Sequence, residues 1–171
     1  MTMETNDYAR SIEIEKGNSA TLIEIVGSWW KEISKVSGTS ASPGKLYAIG
    51  NYLLELVKNS LGDGKSAGKI SAVFDSEKIK LVIEDFGSED KQFNLNIGGN
   101  YGFKEVIEYA DALEIEAQGK FFEKNRKGFL EETDESELFV GSRMTFVKYI
   151  VAPPAEEADV TFRGRDFGQK M

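Results

Sequence analysis

The stretch PGKLYAIGNYLLELVKNSLGDGKSAGKISAVFDSEKIKLVIEDFG, from Pro43 to Gly87, decides the fold. Its first half carries apolar residues at Leu46, Ile49, Leu53, Val57 and Leu61, the three-and-four spacing of a helix that buries one stripe. Ser42-Pro43 starts that helix: a hydroxyl to accept from an orphaned N–H, then proline where no donor is needed. Gly62-Asp63-Gly64 ends it near Leu61. In the second half the period drops to two. Ile79, Leu81 and Ile83 alternate with polar residues, and Asp75-Ser76-Glu77 joins Lys69–Asp75 to Lys78–Asp85 as a β-hairpin.

Working outward, Ser11–Lys16 alternates as a short strand. Asn18 or Ser19 can then cap a helix to about Lys35, with Leu22, Val26, Trp29 and Ile33 on its apolar stripe. After the hairpin, Gly87–Gly99 is polar and irregular. Tyr101 to about Ala110 predicts a third helix, with Phe103, Val106, Ile107 and Ala110 on one side. Leu113–Ala117 and Arg143–Val151 predict two more strands. Lys120–Val140, between them, is basic and aromatic first and acidic later, and its Lys120–Arg126 portion reads as a solvated loop. The order β-α-α-β-β-α-β-β predicts an α+β fold: a two-layer sandwich, one mostly antiparallel sheet with helices on one face. Residues 1–152 form one domain in this reading, and 153–171, after Pro153-Pro154, form a weakly structured tail in which Val160–Arg163 could add an edge strand.

The chain has 171 residues, 40% of them hydrophobic and 29% charged, enough for a single core. With 21 Lys+Arg against 29 Asp+Glu the formal charge is −8, which argues against nucleic acid as a partner. There is no cysteine and no histidine, so thiolate and imidazole chemistry are excluded: disulfides, a Ser-His-Asp triad, imidazole metal ligands and phosphohistidine. No apolar run approaches a membrane span and Met1–Arg10 lacks the pattern of a signal peptide, so the expected location is cytoplasmic.

Gly62-Asp63-Gly64-Lys65-Ser66-Ala67-Gly68-Lys69-Ile70 imitates a phosphate-binding P-loop but has the wrong spacing, Ile70 where Ser or Thr is needed, and a helix-to-strand direction. It reads as a solvated turn. Glu55 and Asn59, at i and i+4, project from one face of the second helix, roughly opposite its apolar stripe. Asp85-Phe86-Gly87 ends the hairpin with an acidic acceptor. Gly98-Gly99-Asn100-Tyr101-Gly102 opens the third helix, where glycines let backbone N–H groups approach a phosphate. Gly141-Ser142-Arg143-Met144-Thr145-Phe146 starts the last strand.

In this order the segments resemble the GHKL (histidine-kinase-like, Bergerat-fold) ATPases, and among them the anti-sigma-factor serine kinase branch. Leu53–Asn59, LLELVKN, is similar to the family's N-box, and the resemblance implies that Asn59 binds Mg²⁺ and Glu55 acts as general base. Val82–Gly87 resembles the first glycine box, implying that Asp85 and Gly87 contact ATP, with Asp85 accepting from the adenine amino group. Gly102-Phe103 resembles the second glycine box, and Thr145 falls where the family places a threonine near adenine. The resemblance implies an ATP-binding regulatory domain that phosphorylates or sequesters a protein partner, a sigma factor or an anti-sigma antagonist, and a homodimer through the N-terminal strand and helix. Glu89, Asn100 and Tyr101 depart from the family pattern, and motivate a second reading in which the fold serves as a non-catalytic protein-interaction module.

Overall fold

The computed structural model of the chain describes residues 8–17, 19–36, 41–62, 64–87 and 101–150. Among these residues seven strands and three helices follow in the order β1 (Tyr8–Ile14), α1 (Ser19–Val36), α2 (Pro43–Leu61), β2 (Gly68–Phe74), β3 (Lys78–Asp85), α3 (Tyr101–Tyr109), β4 (Ala112–Ala117), β5 (Lys120–Lys124), β6 (Leu130–Glu135) and β7 (Ser142–Tyr149). The fold is α+β. The strands make one antiparallel sheet in the order β1-β2-β3-β7-β4-β5-β6. The last strand is therefore inserted at the centre, between β3 and β4.

Local chemistry sets the elements. The Ser42 side chain accepts from the N–H of Lys45, and Pro43 is the first helical residue, so α2 begins where its cap dictates. Gly62 closes it by donating its N–H to the Lys58 carbonyl. The β2–β3 turn is held by Asp75, whose Oδ1 accepts from the N–H groups of Glu77 and Lys78, both at 2.8 Å.

Along β2, β3 and β4, and over Ser142–Val147 of β7, buried residues alternate with half-buried or exposed ones, so one face of the sheet is buried and the other is not. Ile70, Leu81, Ile83, Ile115, Met144 and Phe146 lie on the buried face and share a core with Val26, Ile49, Leu53, Leu56 and Val106 of the helices. Burial of each such apolar side chain contributes about 1.5–3 kcal/mol relative to exposure. The second tryptophan of α1, not the first, is the fully committed one: Trp30 is buried, stacks on Phe74 with ring centroids 5.6 Å apart, and donates its indole N–H to the Leu46 carbonyl at 2.9 Å. Trp29 only flanks the core.

Lys120–Arg126 departs from the expected solvated loop. Lys120–Lys124 and Leu130–Glu135 pair as a hairpin and extend the sheet by two strands. Phe122 packs on the core, and Lys124 donates to the Ala110 carbonyl at 2.6 Å, tying β5 to the end of α3. β6 is exposed along nearly its whole length. The segment 88–100, including Glu89 and Gly98-Gly99-Asn100, lies outside the described residues, as does the tail with its Val160–Arg163 expectation.

Candidate functional site

Two groups of residues assemble on the helix side of the sheet. The first lies between α2 and α3. The Asn59 amide donates Nδ2–H to the Glu55 carbonyl at 2.8 Å, which anchors the side chain one helical turn back. The Glu55 carboxylate lies against the Cα of Gly102, at the start of α3, where a Cβ would come within 2.7 Å of its carboxyl carbon. Lys58 Nζ stands 3.4 Å from Glu55 Oε1. The helix face expected to oppose the apolar stripe is thus turned toward α3, and Tyr52 on the same face stacks on Tyr109 of α3 at 4.3 Å.

The second group sits where β3 ends. Asp85 continues the buried alternation of Ile79, Leu81 and Ile83 and is only 5% exposed. Its Oδ1 accepts two hydrogen bonds, from Ser66 Oγ at 2.5 Å and from the Gly87 N–H at 2.7 Å. Gly87 has φ +84°, and a Cβ there would meet Val140 Cγ1 at 2.7 Å, so both conformation and packing require glycine. Across the ladder, the Cα partner of Asp85 is Ser142 on β7. Ser142 is 2% exposed and its Oγ has no hydrogen-bond partner. An unmade bond at a buried hydroxyl costs about 1–3 kcal/mol, so a ligand that supplied one would recover it.

The structure brings Glu55 against Gly102, with Asn59 one turn further along α2 and bonded to the Glu55 carbonyl, and it brings Asp85 together with Gly87. It does not bring Thr145 to them. Thr145 pairs with Val82 and Glu114, residues of the other sheet face, while Ser142, Met144 and Phe146 carry the buried face of β7. The hydroxyl beside Asp85 is that of Ser142. Ser66 was hidden in the run that reads as a solvated turn; it is 2% exposed and bonded to Asp85. An open cleft of about 570 Å³ lies beside it, walled by Ile14, Leu22, Ile25 and Leu61 with Lys16 among its polar lining. Ser66 lines that cleft, whereas Glu55, Asn59 and Asp85 do not.

Two groups near the end of α3 have displaced acidities. Burial, then Tyr52 and Asp111, push the Tyr109 hydroxyl above its usual range. Burial lowers Lys124, with Lys148 adding to it and Asp111 and Glu108 opposing.

Among the described residues no cluster of three or more acidic side chains is placed to hold a metal ion, and no helix is long and apolar enough to cross a membrane. No protein-family model matches the chain, and no curated protein matches it.

Proposed function

We propose that the chain is an ATP-binding regulatory domain of the histidine-kinase-like type, which transfers the γ-phosphoryl group to a serine or threonine of a protein partner. The observation that supports this best is the meeting of Glu55 with Gly102: the carboxylate assigned as base lies against the backbone of the helix start assigned to phosphate. Two details of the site suit this reading. Gly102 lets the Glu55 carboxylate sit directly against the backbone of the α3 start, and the Ser142 hydroxyl is buried without a partner beside Asp85.

In this reading Asp85 accepts from the exocyclic amine of adenine, and Ser142 supplies or accepts a second bond at the base edge. Gly87 and Gly102 lie at the nucleotide in this reading, Gly87 in the turn beside Asp85 and Gly102 at the α3 start that faces the phosphates. Asn59 offers an amide oxygen, a hard ligand of the type Mg²⁺ takes alongside phosphate oxygens. Mg²⁺, when bound, would neutralise charge developing on the phosphates. Glu55 takes the proton of the acceptor hydroxyl as its oxygen bonds to the γ-phosphorus and the bond from that phosphorus to the ADP oxygen breaks. The partner in this proposal is a sigma factor or its antagonist, the location is cytoplasmic, and the dimer forms through β1 and α1.

The test is a thermal melt with ATP, ADP or no nucleotide, each with and without Mg²⁺. At a hundred times its dissociation constant a ligand stabilises the native state by about 2.7 kcal/mol. A Mg²⁺-dependent rise with ATP, lost in Asp85→Asn, is expected. No rise at millimolar ATP would sink the nucleotide reading and leave the interaction module.

A further inference from the structure

We propose that Ser66 is a positioning residue that sets base selectivity at the nucleotide site by holding Asp85. The inference rests on the nucleotide reading above and deepens it. Asp85 has to present a carboxylate in one orientation to tell an amine from a carbonyl on a base edge. An ionised carboxylate only accepts hydrogen bonds, so it suits the exocyclic amine of adenine and opposes the exocyclic oxygen of guanine. That discrimination depends on where its oxygens point, because hydrogen bonds weaken steeply with misalignment.

Ser66 and Gly87 supply that orientation from two chain segments. The Gly87 N–H belongs to the same chain segment as Asp85 and moves with it. Ser66 belongs to a separate segment, nineteen residues earlier, in the α2–β2 connection. This connection is itself fastened to the sheet: the Phe86 N–H donates to the Ala67 carbonyl at 2.9 Å, and Gly68 pairs with Asp85 in the β2–β3 ladder. The hydroxyl therefore bonds Asp85 Oδ1 from a fixed backbone, and both residues are buried, so water does not compete freely for the bond. Packing and a second hydrogen bond that lock a recognition side chain before the ligand arrives are what precise sites require.

Ser66 does not touch the base in this account; it acts through Asp85. Its removal should therefore change which base is preferred, and a merely structural serine would not. The experiment measures ATP and GTP dissociation constants by calorimetry for the native chain, Ser66→Ala and Ser66→Thr, with melting curves to show that each is folded. The native chain is expected to bind ATP in preference to GTP. Ser66→Ala should lose about tenfold in ATP affinity, the scale of one charge-assisted bond, with the ATP-to-GTP ratio falling toward one. Ser66→Thr, which keeps the hydroxyl, should keep the ratio. If Ser66→Ala binds ATP with the native ratio, or if threonine behaves like alanine, the assignment is overturned. Should Ser66→Ala fail to fold, Ser66→Cys against Ser66→Thr carries the same comparison, because the thiol is a weak donor: the ratio must follow the hydroxyl. A native chain that binds neither nucleotide refutes the functional reading itself and the inference with it, whereas a native chain that binds with a ratio indifferent to Ser66 refutes only the inference.

Discussion

The carboxylate of Glu55 lies against the Cα of Gly102, so the C-terminal half of α2 and the first turn of α3 meet through a side chain on one and the lack of one on the other. A methyl group on Gly102 would have to displace the carboxylate. Gly102→Ala should therefore leave the fold nearly intact, since alanine favours a helix by up to about 1 kcal/mol over glycine, while moving the base off its position. The expected outcome is a melting temperature within a few degrees of native and phosphoryl transfer reduced at least tenfold. Native transfer rates in a folded Gly102→Ala protein would show that Glu55 does not act from this position.

Glu55→Gln separates binding from chemistry. The amide keeps the size of the side chain and its contact with Gly102 but is a very poor proton acceptor. ATP-induced stabilisation should persist within about twofold in affinity, while transfer to a protein hydroxyl falls by about 10²–10⁴, the usual contribution of a general base. Equal loss of binding and transfer would reassign Glu55 to ligand binding.

Ser142 makes the opposite kind of prediction. Its Oγ is buried and unpartnered in the free protein, so Ser142→Ala removes a desolvated hydroxyl and no hydrogen bond. The free protein should become more stable by up to about 1 kcal/mol. Nucleotide affinity should fall in the same variant if the proposed base contact is made, because Ser142 is the ladder partner of Asp85. Opposite signs in two measurements distinguish a ligand-directed hydroxyl from a packing defect, for which affinity would not move.

How far the sequence could be read follows from what each residue is asked to do. α2 and the β2–β3 hairpin were legible because each buries one side, and burial on one side writes a period into the chain. β6 wrote none: Leu-Glu-Glu-Thr-Asp-Glu is an edge strand with one neighbour, exposed nearly throughout, whose charges and bulge suit an edge that should not pair further. Its partner β5 carries Phe121-Phe122 in succession, which obscures alternation. Thr145 illustrates a signal that was present but outweighed by the resemblance. Met144 and Phe146 are the large apolar residues of β7, so parity alone puts Thr145 on the other face and Ser142 on theirs. Ser66 offered no such signal, since a serine among glycines and lysines has the composition of a turn whether or not it is buried. Trp29 and Trp30 both fall near the α1 stripe, and only the position of Phe74 and the Leu46 carbonyl selects the second.

The displaced acidities at the end of α3 give a prediction in alkali with two opposite signs. Tyr109 in the folded chain titrates above its ordinary 10.0, so the folded state holds the phenolic proton when the unfolded state has released it. Stability must then fall as the pH rises past 10, until the folded group also ionises. Lys124 in the folded chain titrates below its ordinary 10.5, so the unfolded state holds more protons between the folded value and 10.5. Through that window stability must rise with pH, because the cost of the half-buried ammonium, fully present at neutral pH, is relieved. The variants isolate each sign. Urea midpoints of Lys124→Met relative to native should show an advantage from losing the buried charge, or a smaller loss than the severed bond to the Ala110 carbonyl implies, that diminishes steadily toward pH 10.5. Tyr109→Phe should be free of the native decline that begins at pH 10, and tyrosinate absorbance should show one fewer late-titrating group. Parallel pH profiles for native and variant would mean that neither burial is felt by the titrating atom.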